Sequence, residues 1–361
     1  MSSGVKGYAA LNARVRAMYS SLLSPQEMVR LSETADFQSL ISSLKSTIYS
    51  SHLESLKEKE LTPRRTISQL RGRLADAYFS VIHMAPGDTR PLLIQLYRYF
   101  EVGNLKAILR GIVAGPSSSD VETSHWDQVS SVLFPMGSLS VLPARAMIES
   151  GNVSTAVDLL NGTRYEEALS FAMKRYSAEQ NLFPLEVALD LAYWRQLWQE
   201  AKRLSGLDRA YALRIVGSFL DMNNLMWAIR YRVYHRLSEE ELINYTLPFG
   251  YHVHDDDIRA IAAGADIPTI VGRIYPAITN INALLEDPHS GLPLLEAQLN
   301  RHLIKQCIAA FMGNPFHIGI PLAFLILTNF EIADLAILIE ARSTQLSDEK
   351  FRPYLLRTTV A

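Results

Sequence analysis

His252-Val-His-Asp-Asp-Asp257 packs two imidazoles and three carboxylates into six residues, a donor set that could hold a divalent metal. The same run stands just before the apolar spacing of Ile258, Ile261 and Ala262. Aspartate in that place caps a helix N-terminus and complements its dipole, so a structural cap is favoured over a metal ligand set. No G-x-x-x-x-G-K-[ST] loop is present to cradle phosphates, no H-E-x-x-H pair offers zinc ligands, and no G-x-S-x-G elbow offers a nucleophile. The single cysteine, Cys307, has no intrachain partner for a disulfide and points to a reducing compartment. A chain with no catalytic residue, no cofactor and no bound metal is expected.

A different set of polar residues recurs. Phe100-Glu-Val-Gly-Asn-Leu-Lys-Ala-Ile-Leu-Arg110 is answered by Leu220-Asp-Met-Asn-Asn-Leu-Met-Trp-Ala-Ile-Arg230 and by Phe330-Glu-Ile-Ala-Asp-Leu-Ala-Ile-Leu-Ile-Glu340. Each phrase sets an acid, then Asn or Asp three residues later, then Leu: Glu101, Asn104 and Leu105; Asp221, Asn224 and Leu225; Glu331, Asp334 and Leu335. Residues three and four apart share a helix face, so each trio lies together. Arg110 and Arg230, nine residues beyond their acids, point about half a turn away and cannot pair with them inside one helix. Buried polar groups need partners, so the acid and the amide are expected to bond backbone groups at a neighbouring helix end; direct contact with another subunit is the alternative. In the third copy Asp334 replaces the amide and Glu340 the arginine, which leaves those two contacts open.

The elements that must carry these residues are helices. Apolar residues recur at three- and four-residue spacing, as in Leu92, Leu93, Leu96, Tyr97 and Phe100, or Leu185, Leu189, Ala192, Tyr193 and Leu197. Strand-like alternation is scarce, and Ser130 to Val141 reads as a linker, so the fold class is all-α. The stripe of Tyr193, Trp194, Leu197 and Trp198 favours core over interface. The acids Glu101, Asp221 and Glu331 stand 120 and 110 residues apart. Helix-start signals at Ser24-Pro-Gln-Glu-Met28, Leu142-Pro-Ala-Arg-Ala146 and His254-Asp-Asp-Asp-Ile258 precede them by 77, 79 and 77 residues. After each signal come a short helix, a small polar break and a second short helix containing Leu40, Val157 or Ile270. This spacing predicts three similar helical domains, 1–120, 121–245 and 246–361, with junctions at Gly115-Pro-Ser-Ser-Ser119 and Thr246-Leu-Pro-Phe-Gly250.

Tyr8-Ala-Ala-Leu-Asn-Ala-Arg-Val-Arg16, the phrase around Glu101 with its two counterparts, and Asn314-Pro-Phe-His-Ile-Gly-Ile-Pro-Leu-Ala-Phe324 together resemble the central-stalk C/d family of V/A-type rotary ATPases. The resemblance spans nearly the whole chain. It implies a funnel of three similar helical domains around a pseudo-threefold axis, with no active site. Such a funnel sits on the membrane rotor ring and receives the end of the central shaft. Asp334 and Glu340 depart from the family pattern, which carries Asn and Arg there.

Charge and hydropathy are consistent with a protein held by protein contacts. A formal net charge of −2 supplies no field for nucleic acid or anionic lipid. The basic pairs Arg14/Arg16, Arg64/Arg65, Arg71/Arg73 and Lys202/Arg203 read mainly as solvated helix faces, with a shared patch as the alternative. Pro321 interrupts the most apolar window, Ile318 to Leu327, and polar residues follow it, so no spanning helix and no direct lipid insertion are expected. The start of the chain lacks a signal-peptide pattern, so a cytoplasmic protein is expected, and the resemblance implies that it is peripheral to a membrane through a protein complex. A helical-repeat scaffold unrelated to rotary ATPases is the rival reading.

Overall fold

The computed structural model describes residues 2–54, 56, 61–116 and 124–358, with side chains from Gly7 onward. The expected boundary at residue 120 and part of the 115–119 junction lie outside the described residues. Every regular element among the described residues is helical, so the fold is all-α. Three pairs of long helices dominate: α5 (Pro63–Met84) with α6 (Arg90–Ala114), α11 (Phe183–Arg203) with α12 (Gly206–Arg230), and α17 (Pro288–Ala309) with α18 (Gly319–Ser343). The second member of each pair has 25 residues and carries one of the repeated acids.

Shorter helices precede each pair: α2 (Pro25–Ser32), α3 (Phe37–Leu44) and α4 (Ser50–Leu53); then α8 (Ala144–Glu149), α9 (Val153–Asp158) and α10 (Glu166–Glu179); then α14 (Asp255–Ala262), α15 (Ile267–Ile274) and α16 (Ile281–Glu286). Their starts follow from side-chain caps. Ser24 accepts from Glu27 N while Glu27 bonds back to Ser24 N, and Asp36, Asn152 and Asp266 accept from the amide three residues on. Gly151 and Gly264, at φ 60° and 96°, supply the left-handed residue that lets α8 and α14 stop before the next helix begins. A further short helix follows each pair: α7 (His125–Ser130), α13 (Glu239–Asn244) and α19 (Asp348–Phe351). Periodicity does not reveal helices this brief.

The pairs are joined in a cycle. Besides the contacts inside each pair, α6 packs on α11, α12 on α17, and α18 on α5, so the last long helix returns to the first. Helix α1 (Ser2–Tyr19) fastens the turns between paired helices: Arg16 donates to Phe311 O at 2.8 Å, Asn12 to Pro315 O, and Gly7 lies against Pro86.

Helix α18 corrects the expectation about the apolar window. It is long and apolar enough to cross a membrane by length and composition alone, because Pro321 falls in its first turn and apolar residues resume after Asp334. Its surroundings make it a core helix instead. It is mostly buried, between α1, α3, α5, α12 and α17.

Candidate functional site

The repeated acids lie on buried seams where one long helix meets the start of the following group of short helices. Glu101 is fully buried and accepts from Val141 N at 2.6 Å and from the Tyr165 hydroxyl at 2.7 Å. One turn on, Asn104 grips Phe134 through both backbone groups, donating to its oxygen at 2.8 Å and accepting from its nitrogen at 2.7 Å. Phe134 also stacks on Phe100, ring centroids 4.0 Å apart. Asp221 accepts from Tyr251 N and His252 N at 2.7 Å and from Val253 N at 3.2 Å, while Asn224 grips Leu247 in the same two-point way at 2.6 and 2.8 Å.

The third seam joins the two ends of the described chain. Glu331 accepts from Leu23 N at 2.9 Å and from the Tyr49 hydroxyl at 2.6 Å, and the Arg357 guanidinium bonds it as well. Asp334 accepts from Leu356 N and Arg357 N, both at 2.8 Å, so the aspartate holds two amides where Asn104 and Asn224 hold one amide and one carbonyl. Leu105, Leu225 and Leu335 are fully buried behind these seams. Each acid therefore closes the backbone just ahead of a short helix, α8, α14 or α2.

Sequence reasoning missed the tyrosines. Tyr49, Tyr165 and Tyr275 are buried and stand 116 and 110 residues apart, close to the spacing of the acids, and that match is the signal that could have found them. Tyr49 and Tyr165 bond their acids; Asp221 is one methylene shorter, gives its oxygens to three amides, and acts on Tyr275 through its charge alone. Burial raises all three hydroxyl pKa values, and the facing carboxylate adds to the rise. Burial also pushes Asp221 up to about 6 and Asp334 up to about 7 against the pull of their amide donors. Glu331 is raised by burial too, with Arg357 opposing.

The opposite face of the long helices looks onto a central cavity of about 560 Å³ to which α6, α12 and α18 all contribute. Arg110 reaches it and forms a two-point pair with Glu186 of α11 at 2.6 and 2.7 Å; Arg230 pairs with Glu296 of α17 at 2.6 Å. Lys106 holds Asp190 at 2.5 Å. Glu340, at the position of the two arginines, is exposed.

The other candidates have structural places. His254 is the N-cap of α14, its amide donating to the Asp257 carboxylate at 2.9 Å, and Asp257 also pairs with Arg273. Tyr193, Trp194 and Leu197 are buried, and Trp198 stacks on Phe249. Among the basic pairs, Arg71 donates to Val132 O, Arg73 lies over the Tyr49 ring, and Arg203 pairs with Glu200. They meet separate partners.

The profile of the family described as ATP synthase (C/AC39) subunit matches residues 11–354. The C subunit of the A-type ATP synthase of Methanocaldococcus jannaschii is 22% identical over 353 residues, covering 97% of this chain and 86% of that protein. Its counterpart of the same name in Methanococcoides burtonii is 23% identical over 357 residues, covering 98% and 96%. That of Thermococcus onnurineus is 22% identical over 350 residues, covering 96% and 89%.

Proposed function

Because the chain belongs to the ATP synthase (C/AC39) subunit family, we propose that it is the non-catalytic coupling piece of a V/A-type rotary ATPase, seating the end of the central shaft on the membrane rotor ring. In this reading the chain is three helical units, near 1–120, 121–245 and 246–361, set as a funnel around a pseudo-threefold axis. The observation that carries it is the acid seam made three times in cyclic order, with Glu331 closing the last unit onto the first. A closed cycle of packed helices suits torque transmission, since close-packed interiors deform little under load. The central cavity, walled by all three long helices, is the natural seat for the shaft end. Exposed Met84, Leu207 and Met312, all near turns between paired helices, offer apolar contacts of the kind a protein ring would cover.

The test is coupling. Complex assembled in proteoliposomes without this chain should still hydrolyse ATP in its soluble head and should lose ATP-driven ion uptake. Ion uptake per ATP unchanged by its omission would overturn the proposal.

A further inference from the structure

We propose that the central cavity is a keyed socket, whose three unlike walls accept an amphipathic helix end in one angular position and reject the two positions a third of a turn away. The inference rests on the cavity being the seat of the shaft, and deepens that reading. The walls are compared at positions counted from each acid. Two residues on, Gly103, Asn223 and Ala333 all line the cavity; five on, Lys106 and Ala336 line it and Met226 does not; nine on, Arg110 and Arg230 line it and Glu340 does not.

The first wall carries Lys106 and Arg110 and the second Trp227 and Arg230, with the ion pairs Lys106–Asp190, Arg110–Glu186 and Arg230–Glu296 behind them. The third wall presents Asn329, Ile332, Ala333 and Ala336, with no charged side chain from α18. An uncharged surface of small and mainly apolar side chains lets a helix backbone approach closely and takes the apolar side of an incoming helix. The ion-paired walls take its hydrogen-bonding side. Turning that helix by a third would press its apolar side onto charged pairs and strip them of water without replacing the lost hydrogen bonds, a penalty that discriminates as strongly as any attraction. Arg71, from α5, also lines the cavity, but its guanidinium is engaged by Val132 O at 3.1 Å.

The experiment places a photo-cross-linking residue, one at a time, at Gly103, Asn223 and Ala333 in the assembled complex and maps the adducts by mass spectrometry. All three positions line the cavity, and a Cβ built at Gly103 meets nothing within 4 Å, so the probe is tolerated there. The expected result is that each position captures a different side of the shaft end, with a bias of at least about tenfold for its own residues. The same residues captured equally from all three positions would overturn the key and leave the socket intact. No shaft adduct from any position would remove the socket itself, and the key with it. Ala336→Lys gives the third wall a cation at the position of Lys106 and should collapse the bias; a bias unchanged in that variant would overturn the wall asymmetry as its cause.

Discussion

Glu101 does with two oxygens what a buried carboxylate must do, accepting one amide and one hydroxyl so that neither donor is stranded. Glu101→Ala should therefore destabilise the chain by about 3 kcal/mol, because it strands Val141 N and the Tyr165 hydroxyl together. Tyr165→Phe removes one donor and leaves the acid its amide, and should cost about 1 kcal/mol. Urea unfolding of both variants checks the pair, and equal losses would contradict the division of labour. Asp334 gives a pH test. Its carboxyl is raised from the ordinary 3.8 to about 7 by burial, so the stability it contributes is full below pH 3.8 and fades as pH rises through 7. Asp334→Asn cannot titrate, and its stability relative to the parent should rise by about 2–3 kcal/mol between pH 5 and pH 8. A stability difference independent of pH over that range would contradict the raised carboxyl.

At the scale of elements, the junction before α14 shows how closely the seams are built. A Cβ at Gly250 would stand 2.0 Å from Asp221 Oδ1 and 2.7 Å from Val253 O, both held by the seam. Gly250→Ala should cost about 3 kcal/mol through this overlap. Gly103→Ala, in open space on an α-helix, should instead stabilise by up to about 1 kcal/mol. Melting curves that moved the same way for both would contradict the account. The long helices and the acid faces were legible in the sequence because spacing within one helix is a local signal. The tyrosines were not, since Tyr49 meets Glu331 across 282 residues and no local pattern ties them. The short helices α7, α13 and α19 also escaped notice, being too brief for an apolar period. The length of α18 was underread because a proline counts as a breaker inside a helix and not in its first turn.

Across the whole molecule, the pairing of α18 with α5 and of Glu331 with Leu23 and Tyr49 turns the series of long-helix pairs into a closed body. Among the described residues the first and last long helices, α5 and α18, cover one another, unlike the ends of an open helical array whose stability grows repeat by repeat. The central claim is that this closed body turns with the membrane ring. The most direct measurement is to link the chain covalently to a ring protein through a reducible disulfide in the reconstituted complex and to follow ATP-driven ion uptake. A rotor piece predicts uptake unchanged by the link. Uptake abolished by the link and restored on its reduction would place the chain on the static side and contradict the account.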